Sequence, residues 1–481
     1  MKITRRAFAA GVSSAALFAS AKNAGAGVGD DDLRIVRRAY ETLHPGLFRY
    51  ATPAGWDAGL ALLGREWSSD TTLRGRYLAL SRFLATIKCG HTYANFYNQK
   101  SAVAETLFAQ RNRLPFHFRW IDGKMIVTNH GNDALPRGTE VVAVDGRKAG
   151  AILQSLVPYA RADGSNDAKR VAQLEVQGTD RYESFDVFFG LTHVKRGSAF
   201  AIEAITPSGS RTVQVEPIDL QARRARMKPS LRDKNAPQWT LQIDGLTGVL
   251  AMPNWALYDS QWDWHGFLDR AFEEIASRSV RGLIIDLRGN EGGLDCGDDI
   301  VARLIDEDLY PLAYERRVRF RRTPEDIDAY LDTWDPSFKR LGEGAEPLDA
   351  GFFRLKEEDG KPATPIRPKG PRFRGRVIVL IDAANSSATF QFAQLIQSRR
   401  LGTLVGAPTG GNRRGINGGA FFFLRLPQSG LEADVPLIGT FPRQPEPDAG
   451  LTPDVAVRIS AADIAAGRDA VLARAHGLIR S

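Results

Sequence analysis

The sequence predicts a multidomain α/β (α+β) protein with a helical N-terminal region, a β-rich middle and a C-terminal core of alternating strands and helices. Three observations support this order. Apolar residues first recur at helical spacing, then alternate along short runs, and finally form buried strand-like runs separated by amphipathic helical patterns. With 481 residues, the chain is long enough for two or three domains with their own cores.

The first 26 residues have the pattern of an export signal. Paired Arg5 and Arg6 precede a weakly apolar stretch that ends in Ala24-Gly25-Ala26, a small-residue cleavage pattern. The alternative is a frayed basic helix, because the stretch is too short to span a bilayer. We therefore predict a twin-arginine-type signal over residues 1–26, no stable membrane span in the mature chain, and a periplasmic or extracellular location.

The mature chain is expected to be only mildly basic. The whole sequence has a net charge of +8, and residues 1–26 hold four basic groups and no acid, which leaves +4. The one dense basic run, residues 316–322, has the pattern of a solvated strand or loop rim. These features argue against nucleic acid as a partner.

Residues 27–105 predict a small helical cap domain. Apolar residues recur at three and four spacing in three successive stretches up to residue 87. Gly90 is the expected stop of the last helix, which leaves His91 just outside that helix.

Residues 106–235 predict a β-rich module followed by a linker. Short alternating runs at 116–120 and 124–128 indicate strands, and Asp145-Gly146 indicates a tight turn after another strand. Residues 217–240, rich in Arg, Lys and Pro, indicate the linker.

Residues 236–481 predict the core of the protein. Buried strand patterns at 248–252, 282–287 and from Val377 alternate with helical patterns, and further strands follow the last helix. This order predicts a mostly parallel sheet with an antiparallel continuation. Residues 307–374 are too long for a plain connection and indicate a lid insertion.

Ser387 follows the buried run that begins at Val377 and opens a helical pattern. A hydroxyl at such a strand-to-helix turn faces the positive end of the helix dipole and free backbone N–H groups that can hold an oxyanion. This is where a serine nucleophile is usually mounted.

A serine nucleophile needs a base and an oxyanion hole. Of the seven histidines, His91 is the best placed, since it follows Gly90 at a helix end. The glycine-rich loop from Asp286 to Gly293 follows a buried strand, and its paired glycines allow backbone N–H groups to approach a carbonyl. The loop fits neither a P-loop nor a dinucleotide fingerprint.

Three elements in this order carry a resemblance to a known family: Gly90-His91-Thr92, the loop 286–293 with its Asp-Leu-Arg-Gly-Asn-x-Gly-Gly pattern, and the Ser-Ala-x-x-x-Phe-Ala pattern from Ser387. Matching motifs also lie at 404–411 and 450–455. Together they resemble the C-terminal processing (tail-specific) serine peptidases over essentially the whole mature chain. The resemblance implies a PDZ-like module within 106–235 and a ClpP/crotonase-like core.

Carried over residue by residue, the resemblance makes Ser387 the nucleophile and places the oxyanion hole at Ala388 with Gly292 or Gly293. The lysine of the Ser-Lys branch is replaced by Asn412, followed by Arg413 and Arg414. Because arginine stays protonated and cannot act as a base, the tricorn-like branch with His91 as base fits better. Its acidic partner is left open among Glu446, Glu432 and Asp448.

The sequence thus predicts an exported serine endopeptidase that cleaves extended polypeptides, with no cofactor and no metal. Arg413 or Arg414 is a candidate for holding a substrate carboxylate, although a plain surface role is also open. The alternatives are a non-catalytic peptide- or ligand-binding protein on the same scaffold and an esterase of another fold, which the lack of a Gly-x-Ser-x-Gly elbow disfavours. The oligomeric state is left open.

The two cysteines lie beside elements that this resemblance brings together. If His91 and Gly292 both reach Ser387, Cys89 and Cys296 flank the site, and a disulfide between them would clamp the cap to the core.

Overall fold

The computed structural model describes residues 30–129, 134–193, 197–312, 314–356 and 364–480. The predicted export signal over residues 1–26 therefore lies outside the described residues.

Four helices form the N-terminal region. They are α1 Asp30–Leu43, α2 Pro53–Ser69, α3 Leu73–Ala85 and α4 Ser101–Phe108. Thr52 and Thr72 cap α2 and α3 by accepting hydrogen bonds from the Gly55 and Gly75 amides. The predicted stop at Gly90 is wrong: α3 ends at Ala85, and the left-handed residue after it is Lys88, with φ of 56°.

The middle of the chain forms an antiparallel sheet with helices packed against it. Its elements are β1 His117–Ile121, β2 Lys124–Asn129, β3 Glu140–Val144, β4 Arg147–Lys148, α5 Ala149–Leu156, α6 Asp167–Gln173, α7 Ser184–Thr192, β5 Phe200–Thr206, β6 Gly209–Val215 and α8 Leu220–Arg224. The strand order is β1-β2-β3-β5-β6, with β4 paired to β3. The predicted Asp145-Gly146 turn joins β3 and β4, with positive φ at both residues.

The rest of the chain contributes two further sheets. Its elements are β7 Thr240–Asp244, β8 Thr247–Ala251, α9 Trp264–Ser277, β9 Gly282–Asp286, α10 Cys296–Val301, β10 Tyr314–Val318, α11 Glu325–Asp328, β11 Leu331–Asp332, β12 Glu346–Pro347, β13 Phe353–Arg354, β14 Arg376–Ile381, α12 Ser387–Ser398, β15 Thr403–Gly406, β16 Asn417–Arg425, β17 Glu432–Pro442, β18 Val455–Ala456, α13 Ala461–Ala465 and α14 Ala470–Arg480.

The core sheet has the order β18-β15-β14-β9-β8-β7 and is parallel except for the β7–β8 hairpin. Alternate residues of β9 enter different cores, since Leu283 and Ile285 pack with α9, α10 and α12 while Ile284 packs with α14. The strands are apolar on both faces, as expected for a sheet covered by helices on both sides. Because β9 and β14 are parallel neighbours, the segments after Asp286 and Ile381 emerge at the same edge.

The third sheet is antiparallel, in the order β11-β16-β17-β10-β13-β12. Strands β10 to β13 belong to residues 307–374 and attach this segment to the sheet at four short strands; that the segment moves as a lid stays a prediction. The α1 helix packs on this sheet, where the Tyr40 hydroxyl donates to the Asp434 carbonyl at 2.9 Å. Within the described ranges, no helix has both the length and the apolar character required to cross a bilayer.

Candidate active site

Ser387 stands where β14 gives way to α12, as the sequence predicts. Its φ of 51° lies in the left-handed region, which is uncommon for residues other than glycine. A residue in this region costs of order 1–3 kcal/mol and persists only where its surroundings hold it in place. Such strain is typical of functional sites, where it fixes the direction of a side chain.

The glycine-rich loop after β9 lies directly against the Ser387 turn. A Cβ on Gly292 would approach the Ser387 Cβ to 2.8 Å and the Ala388 nitrogen to 2.9 Å. The Gly292 amide itself donates to Asn290 Oδ1 at 2.9 Å. Of the two glycine amides, that of Gly293 is therefore the better candidate for an oxyanion donor beside Ala388, the second residue of α12.

Asn385 and Thr389 fasten the serine turn to this loop. The Asn385 side-chain amide donates to the Leu287 carbonyl at 2.6 Å and to the Asn290 carbonyl at 3.0 Å. The Thr389 hydroxyl donates to the same Asn290 carbonyl at 2.9 Å. These buried hydrogen bonds fix the Ser387 turn relative to the glycine-rich loop.

His91 lies in the turn after α3 and is half-buried. The turn is held from both sides of Gly90, whose amide donates to Asp163 Oδ1 at 2.8 Å and whose carbonyl accepts from Arg161 Nε at 2.8 Å. The imidazole faces Gly418 of β16 and the Phe421 ring, 5.9 Å away between centroids. Its Nδ1 atom is buried without a hydrogen-bond partner among the described residues.

Burial lowers the pKa of His91 below its ordinary value. Among the charged groups around it, the Asp163 carboxylate has the largest effect and opposes this lowering. Arg161, Glu291 and Lys169 act on it more weakly. A neutral imidazole at neutral pH is the form that a general base requires.

Arg161, Lys169 and Glu291 form a charged cluster that borders both His91 and the serine turn. Glu291 Oε1 accepts from Lys169 Nζ at 2.8 Å, and Glu291 Oε2 lies 3.3 Å from an Arg161 nitrogen. Although burial opposes it, the charges of these two cations hold the pKa of Glu291 at about 2. The cluster thus connects the His91 turn, the glycine-rich loop and the Ser387 turn.

Sequence reasoning missed Asp163, Arg161 and Lys169. They lie in or just before α6, far along the chain from the three motifs. Nothing in their local pattern separates them from solvated charges; only their contacts in the folded chain reveal their proximity to the site.

The carboxylates proposed as partners of His91 make other contacts. Glu446 pairs with Arg413 at 2.6 Å, and Glu432 lies in β17, 3.4 Å from Arg425. Burial raises the pKa of Glu432 to about 7. Asp448 accepts from the Asn412 side chain at 2.7 Å and from the Ser165 amide. In the described residues, none of the three is hydrogen-bonded to His91.

Asn412 occupies the position of the missing lysine and has a structural role. Its buried side-chain amide donates to Asp448 and, at 3.2 Å, to the Asp163 carbonyl. Its Oδ1 accepts from the Arg414 amide. Arg413 pairs with the Glu446 carboxylate, and Arg414 donates to the Glu446 backbone carbonyl.

The expected disulfide is wrong, since Cys89 and Cys296 are both free and buried. Cys89 accepts a hydrogen bond from the Asn417 side chain at 3.3 Å, and Cys296 begins α10 in the core. Burial raises the pKa of Cys89 to about 11, as expected for an unreactive structural thiol.

The C-terminal part of the chain matches a known protein family. The profile of peptidase family S41 matches residues 246–456, a segment that contains Ser387 and both candidate oxyanion glycines. No curated protein matches this sequence.

Solved structures resemble the chain over almost its whole length. Mature CPAF complexed with lactacystin covers 94% of this chain and 98% of its own, at 15% identity and a TM-score of 0.63. Mature CPAF without this ligand covers 94% of this chain and 97% of its own, at 14% identity and a TM-score of 0.61. The photosystem II D1 C-terminal processing protease gives 14% identity, 90% and 94% coverage, and a TM-score of 0.42. The likeness to CPAF shows a shared fold.

Proposed function

Because this chain is a serine-type peptidase of family S41, we propose that it is an endopeptidase that cleaves extended polypeptides with Ser387 as nucleophile and His91 as general base. The observation that carries the proposal is the strained Ser387 turn, with a glycine-rich loop pressed against it. Ser387 lies between a buried strand and a helix, and its left-handed backbone is a strained conformation of the kind that clusters at active sites.

In this mechanism, His91 takes the proton of the Ser387 hydroxyl while the oxygen attacks the scissile carbonyl. The Ala388 and Gly293 amides stabilise the oxyanion that forms, and Gly292 is the alternative donor if its bond to Asn290 opens. His91 then returns the proton to the leaving amine, and water repeats the cycle on the acyl-enzyme.

Asp163 is our candidate for the acidic partner of His91, ahead of Glu446 and Glu432. It accepts the Gly90 amide beside His91, and its charge favours the imidazolium more than that of any other carboxylate. In this arrangement the carboxylate stabilises the imidazolium formed during attack without a direct hydrogen bond in the ligand-free enzyme. Glu446 remains the alternative, since substrate binding that displaces Arg413 would free it.

The substrate is proposed to be an extended peptide that pairs with a sheet edge near the site, between the N-terminal helices, the middle sheet and the core. We further propose that the N-terminal helices act as a cap and the middle sheet as a PDZ-like module. Arg413 is already paired with Glu446, so it would hold a substrate carboxylate only by exchanging partners.

We also propose that residues 1–26 are an export signal and that the protein acts in the periplasm or outside the cell.

A fluorophosphonate probe tests the mechanism directly. The wild-type protein should be labelled at a single serine, and fragmentation of the tryptic peptide should place the adduct on Ser387 and not on Ser386. The Ser387→Ala variant should lose labelling, and His91→Ala should slow it at least about a hundredfold. Ser398→Ala, at the opposite end of α12, is the matched control and should label at the wild-type rate.

Absence of labelling in folded wild-type protein would overturn the proposal and favour a binding protein on the same scaffold. Labelling that survives His91→Ala at the wild-type rate would reject His91 as the base. Turnover of an unfolded protein, followed by mass spectrometry of the fragments, distinguishes internal cleavage from trimming at chain ends.

A further inference from the structure

Lys169 carries a buried ammonium group whose acceptors belong to the proposed active site. Its side chain is 3% exposed. The Nζ atom donates to Glu291 Oε1 at 2.8 Å, to the Ala384 carbonyl at 2.8 Å and to the Ser386 hydroxyl at 3.4 Å. Three donors thus meet three acceptors, two on the turn before Ser387 and one on the glycine-rich loop.

A buried cation of this kind contributes little net stability, because its desolvation opposes folding. Removing an ammonium from water costs several kcal/mol, which is recovered only with well-placed acceptors. Here the acceptors lie on two loops that are also joined by other hydrogen bonds, including those of Asn385 and Thr389. Lys169 adds a further attachment, from a helix outside the segment that matches the S41 profile.

The contact between Lys169 and Ser386 bears on how the first turn of α12 is capped. A serine directly before a helix usually caps it by accepting a backbone amide of the first turn. Ser386 makes no such capping bond. Its hydroxyl instead donates to the Glu291 carbonyl at 3.1 Å and receives Lys169, so the first amides of α12, including that of Ala388, are left for an oxyanion.

We propose that Lys169 is a positioning residue that holds the Ser386 hydroxyl and the Ala384 carbonyl so that Ser387 keeps its left-handed conformation and the Ala388 amide stays available. This inference rests on the proposed Ser387 mechanism. Lys169 does not touch the reacting atoms, and its effect passes through Ser386 and the turn.

The same contacts exclude Lys169 as the base of a Ser386–Lys169 dyad. A base needs a lone pair on nitrogen, whereas an ammonium that donates to a carboxylate, a carbonyl and a hydroxyl has none. The Ser386 hydroxyl also donates its hydrogen bond to the Glu291 carbonyl and not to Lys169. The pairing resembles a Ser-Lys dyad only in distance.

The test compares four variants with the wild-type enzyme in peptide turnover and fluorophosphonate labelling. Lys169→Met should lower kcat and the labelling rate about a hundredfold with little change in KM, as expected for a misplaced reacting group. Lys169→Met with Glu291→Gln removes both charges of the pair and also the carboxylate partner of Arg161, which keeps its bond to the Gly90 carbonyl; the double variant should not recover kcat. Ser386→Ala, which buries no charge, should lower kcat about tenfold through loss of one anchor.

Lys124→Met is the matched control, because Lys124 also pairs with a glutamate at 2.8 Å but lies on the surface of β2. It should leave kcat unchanged. The acid limb of the pH profile should persist in both Lys169 variants, since the titrating base is His91; in Lys169→Met it should move slightly to higher pH, because the Lys169 charge weakly lowers the pKa of His91.

The inference is overturned if folded Lys169→Met retains kcat within about threefold of wild type, or if the Lys169→Met and Glu291→Gln double variant regains full kcat. It is also overturned if Lys169→Met abolishes labelling while His91→Ala does not, since that pattern makes Lys169 the base. If wild-type protein itself fails to label, the proposed function fails and this inference fails with it. Normal wild-type labelling with unaffected Lys169 variants rejects this inference alone.

Discussion

At the scale of single residues, the candidate site depends on backbone positions that only glycine adopts without strain. Gly292 and Gly293 have φ of 97° and 143°, and both approach neighbouring backbone too closely for a side chain. A Cβ on Gly293 would meet the Trp255 carbonyl oxygen at 2.2 Å. The glycine-rich loop can therefore lie close enough to Ser387 for its amides to serve the same oxyanion.

Gly292→Ala should reduce kcat about a hundredfold or more, because the new methyl group meets the Ser387 Cβ and moves the oxyanion donors. Gly289→Ala is the control: Gly289 also has a positive φ, of 81°, but a Cβ there has open space around it. It should cost about 1 kcal/mol of stability and leave labelling largely intact. Equal kcat losses in the two variants would attribute the effect to backbone strain and not to contact with the nucleophile.

The pH profile should report the lowered pKa of His91. A base must be neutral, so kcat/KM falls as the pH drops through its pKa; a lowered pKa places this acid limb below the ordinary histidine value of about 6.5. Asp163→Asn removes the charge that opposes the lowering, and the limb should move to still lower pH. A limb at or above 6.5, or one unmoved by Asp163→Asn, contradicts these roles.

At the scale of elements, the site lies where segments from three parts of the chain meet. The parallel pair β9 and β14 delivers the glycine-rich loop and the serine turn to one sheet edge. The His91 turn, which follows the N-terminal helices, is linked to the glycine-rich loop through Arg161, which donates to the Gly90 carbonyl and pairs with Glu291. The N-terminal helices must therefore be anchored to the rest of the molecule for the site to form.

Asp32 of α1 supplies one such anchor. Its carboxylate is fully buried and accepts the Gln428 amide at 3.0 Å and the Ser429 amide at 2.8 Å, in the turn between β16 and β17. Asp32→Ala should lower the free energy of unfolding by about 2 kcal/mol or more, because two amides lose a charged acceptor. The neighbouring Asp31 is exposed, so Asp31→Ala should change it by less than about 0.5 kcal/mol in the same urea titration.

At the scale of the whole molecule, the features predictable from the sequence are those that depend on a periodicity or motif within one continuous segment. The Val377 strand, the helix from Ser387 and the loop after Asp286 each carry a local period or motif, and the structure has all of them. Lys169 and Asp163 carry no such signal, because their neighbours in space lie more than 70 residues away along the chain. The disulfide prediction failed for a related reason: motif order indicates which segments meet but not how their side chains are directed.

Buried histidines should make the stability of the whole molecule depend on pH. His44 is fully buried and accepts the Gly46 amide on Nδ1, so its Nε2 carries the proton and donates to the Thr92 hydroxyl at 2.9 Å. Burial, reinforced by Arg49, lowers its pKa to about 3. The neutral form therefore persists in the folded chain well below the pH at which an unfolded histidine is protonated.

The sign of the effect follows from proton binding. Between about pH 6.5 and 3 the unfolded chain binds a proton at His44 that the folded chain does not, so His44 lowers stability as the pH falls. From pH 6.5 to 5 this amounts to about 1–2 kcal/mol. Glu183 and Glu432, whose pKa values burial raises to about 8 and 7, act in the opposite sense, so only a comparison between variant and wild type isolates the histidine.

We expect His44→Gln to have a lower free energy of unfolding than wild type at pH 6.5. In urea unfolding at pH 5, this difference between variant and wild type should be smaller by about 1–2 kcal/mol. His117→Gln, at a second buried histidine whose pKa burial lowers to about 4, should show the same direction independently. The two changes should add, because the residues lie in different elements without shared partners. A variant-to-wild-type difference that is constant across this pH range would mean that His44 takes up its proton in the folded chain as readily as in the unfolded one.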